Sequence, residues 1–394
     1  MRRADTSTII FEDDAWIDFT PIASTRHLAQ QIVGTKSILD HVASRAEGAV
    51  SLAGREYLAE AAKEETGKGY NEMPDGRVLL INARFDPRVD LEGIVAGKSD
   101  FALIDRGEVA MAIAGKKEYE PCLSPDGTLS KEKLLSLAAG LQRLETTEKV
   151  LFRFPWDVLA ANEGALVAEG SKDKEKRLTV DPEAEVEEFV SFDLSGGPIT
   201  IASGARVQSF SRISGPCYIG PKTVVQSALV RGGSTIGADC RIGGEVDASI
   251  IYPHTNKAHF GYLGHSIVGQ WVNFGAGSTN SDLKNTYGTV KFERATGRID
   301  SGQQKLGLMI GDMAKLSIGT TAYGGKTIGV SSHCSGRVAR DVPDFTSYDG
   351  VTDQSFELTL RSVLETQERM MSRRRAKLSP ATKRLIERLY SNRV

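Results

Sequence analysis

The chain has 394 residues, 40% of them hydrophobic and 25% charged, with a net charge of −2. That length asks for two domains, and that composition is ordinary for a globular protein. The charge balance excludes a global basic field for nucleic acid or an anionic membrane, no apolar run approaches the ~18 residues that span a bilayer, and Asp5, Glu12, Asp13 and Asp14 interrupt any signal-peptide pattern after Arg2 and Arg3.

Residues 6–160 read as α/β. The stretch 7–11 (STIIF) is expected to be a short buried strand, 35–42 a helix after Gly34, and 77–82 (RVLLIN) a second strand that ends on a polar residue. Helical spacing returns at 91–98 and at 130–144, the latter with Ser130 as N-cap. Between them, 100–104 and 109–113 form a hairpin across Arg106-Gly107. Strands alternating with helices predict an open, mostly parallel sheet, whose binding sites lie at the carboxyl ends of the strands. A charged linker at 171–178 (SKDKEKRL) and an acidic stretch at 182–190 follow.

From 201 onward an aliphatic residue recurs every sixth position: Ile201, Val207, Ile213, Ile219 and Val225. After a five-residue step through Val230 the count resumes at Ile236 and Ile242, and small residues such as Thr223 and Cys240 sit two places earlier. A period of six fits neither a helix nor a half-buried strand. It fits a β-solenoid in which each hexad is one short strand plus one corner. The signal returns at Leu263, Val268, Phe274, Ile310, Ile318 and Ile328, each followed by Gly, so the solenoid is expected over 197–335 with interruptions. Identical rods packed side by side would bury what one rod leaves exposed. The four cysteines (Cys122, Cys217, Cys240, Cys334) form no CxxC pair; they read as reduced packing residues, which makes a cytoplasmic location the default. Past a Pro-containing connection at 341–349, two helices are expected at 355–377 and 379–394. The run Arg373, Arg374, Arg375 reads first as a solvated or packing-supporting helix face.

Only six histidines are present, and three of them, His254, His259 and His265, lie where the six-residue spacing breaks. A break in a rigid frame is a place to look for a site, and imidazole is matched to proton transfer near neutral pH. Three histidines without adjacent carboxylates are a weak metal set.

The segment 257–279 (KAHFGYLGHSIVGQWVNFGAGST) resembles the core acyl-transfer motif of the bifunctional N-acetylglucosamine-1-phosphate uridyltransferase / glucosamine-1-phosphate acetyltransferase family. The segments PWD (155–157), GQWVN (269–273), LKNTYG (283–288) and LGLMIGD (306–312) resemble sugar nucleotidyltransferase-like proteins that carry the same solenoid. The resemblance implies an α/β nucleotidyltransferase-like (Rossmann-like) domain at 1–180, a left-handed parallel β-helix of hexapeptide repeats at 195–335 and C-terminal helices at 350–394. It also implies a homotrimeric transferase of sugar-nucleotide biosynthesis. The first domain would use Mg²⁺ to transfer a nucleotidyl group from UTP or dTTP to a sugar 1-phosphate. The β-helix would acetylate an amino-sugar 1-phosphate with acetyl-CoA.

In that reading His259 is the base that takes the amine proton, and Tyr262 and Asn273 match sugar-site residues. Arg231 would grip the sugar phosphate. Ala248 and Ser249 stand where the family has a substrate-binding Lys, which leaves Lys257 to compensate. The family's Asn-Tyr-Asp-Gly is replaced by Asn280-Ser281-Asp282-Leu283. In the first domain the strand STIIF is followed by acidic EDD and not by a Gly-rich phosphate loop. Arg26 and Lys36 are then the candidates for nucleotide phosphate, and Asn82 stands where relatives place a Mg²⁺-binding Asp. The rival readings are that one half alone is active, or that the chain is a non-catalytic regulatory or scaffold protein that binds sugar nucleotides.

Overall fold

A computed structural model of the chain describes residues 7–170, 177–294 and 297–392. Most of the charged linker expected at 171–178 lies outside the described residues.

The first half carries a seven-stranded sheet. From one edge the order is Gly69–Tyr70, Val50–Ala53, Ser7–Phe11, Arg77–Asn82, Glu108–Gly115, Phe101–Asp105 and Gln142–Thr146. Only Glu108–Gly115 runs against its neighbours. Such a sheet is covered on both faces, so its central strands are continuous apolar runs; Ile9, Ile10 and Phe11 are all buried. The hairpin across Arg106-Gly107 is present, with both residues at positive φ. The helix expected at 130–144 stops at Ala139, because Gly140 interrupts it and the chain turns into the edge strand Gln142–Thr146. The helix expected at 35–42 starts only at Ile38, capped by the Ser37 hydroxyl; Lys36–Ser37 pairs instead with Ile32–Val33. Three α-helices carried no expectation, Ala59–Thr66, Lys116–Tyr119 and Pro155–Gly170.

The second half is a parallel β-helix with three faces. On the first face Ile201, Ile219, Ile236, Ile251, Val268, Ile310 and Ile328 stack in register. The second stacks Val207, Val225, Ile242 and then Lys257, and higher up Phe274, Leu316 and Cys334. The third stacks Ile213, Val230, Val246 and Leu263. All of these except Lys257 form one buried core. The period of six is therefore one face of a three-sided coil. The small residue two places earlier closes the corner: the Thr223 hydroxyl donates to the Gly237 carbonyl at 2.7 Å, and that of Thr255 to Gly269 at 2.8 Å. The coil is longer than 195–335. It begins at Leu178–Val180 and its last parallel strand is Thr346–Asp349. The four cysteines are unpaired and buried.

Between Val268 and Ile310, adjacent in register, residues 281–307 leave the coil. They form a hairpin, Lys291–Arg294 with Gly297–Asp300, that reaches the first half. Phe292 stacks on Trp156 at 5.2 Å, and Arg294 Nη1 donates to the Thr20 carbonyl at 3.0 Å. The outer side of the first face (Ile250, Tyr252, Ile267, Met309) belongs to the same core as the sheet domain. The two halves are thus packed as one body. The helices Leu360–Ser372 and Pro380–Ser391 return to the coil, where Val363 and Ile386 bury Trp271, Met313 and Phe345. No described helix is long and apolar enough to cross a membrane.

Candidate active site

The break in periodicity around 257 is not a break in the coil. Lys257 occupies an inward position that every neighbouring turn fills with an apolar residue, and it is 2% exposed. An ammonium in such a slot needs acceptors. Its Nζ donates to the carbonyls of Gly243 at 2.7 Å, Gly261 at 2.8 Å and His259 at 3.4 Å. Burial pulls its pKa down to about 8, against the Glu245 carboxylate, which acts the other way. Lys257 therefore cannot reach a sugar phosphate, as had been expected of it. It ties down, from inside, the corner loop 258–261 that carries His259.

His259 is exposed at that corner, between the second and third faces. It opens on a cleft of about 830 Å³ between the second face and the helix Leu360–Ser372. Asn273 lines the same cleft, as do the cations Arg241, Lys315, Arg369, Arg373 and Arg374. Arg374 is anchored by Asp239 at 3.4 Å and by the Asn256 side chain. Burial lowers the Lys315 pKa to about 7, and its amine donates to the carbonyls of Trp271 and Met313. Arg373 makes no ion pair among the described residues. Within the basic run, Arg374 supports packing on the coil, and Arg373 and Arg374 line the cleft. Sequence reasoning missed Arg241 and Lys315, which sit beside inward hexad positions but point out of the coil.

Tyr262 and Arg231 lie around the corner, on the third face. Arg231 is half exposed and paired with Glu245 at 2.7 Å. Glu245 and Tyr262 line a shallower depression of about 560 Å³. The Tyr262 hydroxyl donates to Asp282 at 2.7 Å, and burial together with Asp282 raises its pKa. The structure brings His259 and Asn273 to one cleft of the single chain and leaves Arg231 and Tyr262 on the adjoining face.

The candidates in the first half are separated too. Arg26 is buried, donates to Asp312 of the β-helix at 2.6 Å and lies over the Tyr252 ring at 4.1 Å. Its guanidinium joins the two halves through Asp312. Lys36 is exposed and lines a cleft of about 370 Å³ between the halves, to which Arg26 also contributes. Asn82 is fully buried. Its amide donates to Asp13 at 2.8 Å and to the Val109 carbonyl at 3.2 Å, while its oxygen accepts the Arg84 N–H at 3.0 Å. Asp13 is already paired with Arg84. A hard cation needs several free oxygens, so Asn82 and its neighbours do not fit Mg²⁺. Glu12 and Asp13 of the acidic EDD after the first strand meet distant cations at the carboxyl ends of the strands. Glu12 binds Arg55 at 2.7 Å and caps Leu28, and its carboxyl is held down at about 2, with burial opposing and Arg55 prevailing.

Residues 8–177 match the family model described as sugar nucleotidyl transferase. A segment of 85 residues is 36% identical to the bifunctional sugar-1-phosphate nucleotidylyltransferase/acetyltransferase of Sulfurisphaera tokodaii, covering 22% of this chain and 21% of that protein. Ninety residues are 36% identical to the bifunctional protein GlmU of Methanocaldococcus jannaschii, covering 23% and 21%. The matched segments span about a fifth of the length of these relatives. Among solved structures, the UDP-N-acetylglucosamine acyltransferase of Francisella novicida shares 14% identity over 54% of this chain and 79% of that chain, with a TM-score of 0.32. The chain is thus similar to sugar nucleotidyl transferases through residues 8–177 and, over shorter stretches, to two bifunctional nucleotidylyltransferase/acetyltransferases.

Proposed function

We propose that the β-helix half is an acyl-CoA-dependent N-acyltransferase acting on an amino-sugar 1-phosphate, with acetyl-CoA as donor and His259 as base. The observation that carries this reading is the pinned, exposed His259 beside a cleft lined by four arginines and Lys315. Coenzyme A is a phosphate-rich rod, and the cations of the second face and the C-terminal helix complement its charge. The amine nitrogen of the acceptor attacks the thioester carbonyl carbon while a ring nitrogen of His259 takes the amine proton. The C–S bond then breaks, the amide forms and coenzyme A leaves. Asn273 is positioned to hold donor or acceptor in the same cleft. Tyr262 and Arg231 serve the acceptor from the adjoining face.

A homotrimer fits this arrangement. Phe189, Phe210, Phe260 and Ile318 are all more than 70% exposed and lie along the corner that also carries His259. Phe189 and Phe210 stack on each other at 5.8 Å. An apolar edge of this kind is buried by neighbouring copies, and the cleft would then be closed by a second chain. Four buried, unpaired cysteines favour a reducing, cytoplasmic setting.

For the sheet domain we propose descent from nucleotidyl transfer to a sugar 1-phosphate from UTP or dTTP. A second reading, a silent domain that holds the β-helix, is favoured by the Glu12–Arg55 and Asp13–Arg84 pairs that occupy the strand ends. Two assays test the halves separately. Mass spectrometry of glucosamine 1-phosphate with acetyl-CoA reads acylation, and pyrophosphate release with UTP or dTTP and Mg²⁺ reads nucleotidyl transfer. An acetylated product that His259→Ala still makes at the wild-type rate removes His259 as base. Release of pyrophosphate by the wild type removes the silent-domain reading.

A further inference from the structure

Asp247, His265 and Asp282 come from three successive turns of the coil and meet at one corner. Asp247 ends the strand Arg241–Asp247, and its register partner is Gly264, the residue before His265. Asp282 follows the next strand, Thr279–Asn280, by two residues. Turns of a β-helix stack about 4.8 Å apart, so equivalent corners present their side chains one above another. Here one donor atom from each residue lies within 4.8 Å of the other two. His265 Nδ1 is already 2.7 Å from Asp282 Oδ2. The Tyr262 hydroxyl sits between the carboxylates, 2.7 Å from Asp282 and 3.5 Å from Asp247.

Two half-buried carboxylates held this close repel each other unless a cation lies between them. Arg231 is already paired with Glu245, and Lys305 acts on Asp282 without forming an ion pair with it. Asp247 makes no ion pair among the described residues, and its longest-range polar contact is the Tyr262 hydroxyl. One imidazole and two carboxylates are a donor set for a first-row divalent ion. Donors around such an ion, each about 2.1 Å from it, stand roughly 3–3.5 Å apart, so side-chain movements of about an ångström close the set.

We propose that Asp247, His265 and Asp282 form a binding site for a divalent transition-metal ion, with the Tyr262 hydroxyl hydrogen-bonded to the Asp282 ligand. If the acyl-transfer reading holds, the ion has a function there. Lys257 is locked inside the coil, Ala248 and Ser249 carry no charge, and two arginines of this face, Arg212 and Arg231, are already paired with Asp193 and Glu245. A divalent cation beside Tyr262 supplies the missing positive charge.

The test needs neither donor nor acceptor, so it stands apart from the acyl-transfer reading. Metal-depleted full-length protein is titrated with Co²⁺, read by its visible absorption, and with Zn²⁺ and Mn²⁺ by calorimetry. One equivalent per chain is expected to bind, with absorption bands of an imidazole–carboxylate site. Asp282→Asn and His265→Gln should each weaken binding at least tenfold. Asp247→Asn serves if either of those fails to fold. Absence of saturable binding below 1 mM overturns the proposal, and so does stoichiometric binding that Asp247→Asn and Asp282→Asn leave unchanged.

Discussion

Replacing Lys257 with Met tests whether a buried charge holds the His259 loop. Met suits the slot, which neighbouring turns fill with Ile242 and Phe274. The wild type holds an ammonium whose folded value is about 8 against an ordinary 10.5. That difference corresponds to a penalty of about 3 kcal/mol for keeping the charge at neutral pH. Against it stand the two short bonds to Gly243 and Gly261, which as charge-assisted bonds contribute about 1.5–3 kcal/mol each. The two terms oppose each other, so the variant should lie within about 1–2 kcal/mol of the wild type at pH 7. The pH dependence has a definite sign. Because the folded value is depressed, the unfolded chain binds more protons between pH 8 and 10.5, and wild-type stability gains on the variant across that window. Urea unfolding of both proteins from pH 7 to 10.5 measures the difference. The loosened loop should also cost His259 a 10- to 100-fold drop in kcat, since displacements of about an ångström have that effect. Parallel pH profiles of stability, and an unchanged kcat, would refute the role given to Lys257.

Other perturbations read other parts of the molecule. Asp312→Asn leaves Arg26 buried without its counter-charge at the junction of the halves; a loss of about 3–5 kcal/mol is expected, measured by chemical unfolding. Arg373→Ala with Arg374→Ala should raise KM for acetyl-CoA more than tenfold, with a weakened salt dependence and little change in kcat, in steady-state assays at two ionic strengths. Phe189→Ser with Phe210→Ser removes the stacked pair at the exposed corner; light scattering should show the proposed trimer for the wild type and smaller species for the variant.

Much of the β-helix was legible because its rule is local. One inward aliphatic per hexad and one small residue two places before it are enough to draw a coil with three faces. The ends were harder to see, since Leu178, Val186 and Phe192 of the first turn are only partly buried. Lys257 was misread because charge outweighs position when a sequence is scanned. The signal was available: Thr255 stands two places before it, as Cys240 stands before Ile242. His259 stood out by type and setting. The cations opposite it did not, because the helix Leu360–Ser372 reaches the cleft only through tertiary packing. In the sheet domain the strands at 7–11 and 77–82 were plain from their apolar runs. The acidic EDD after the first strand marked the absence of a Gly-rich phosphate loop, and the partners of Glu12 and Asp13, Arg55 and Arg84, lie far along the chain. Long-range pairing of that kind leaves no periodic trace.

The most direct measurement is the rate of acetyl transfer to glucosamine 1-phosphate by full-length wild type and His259→Ala, followed by mass spectrometry of the product with circular dichroism as a check on folding. The wild type should give the N-acetylated sugar phosphate, and the variant should be slower by about 10²–10⁴-fold. Equal rates from two folded proteins, or no product from the wild type, would contradict the assignment.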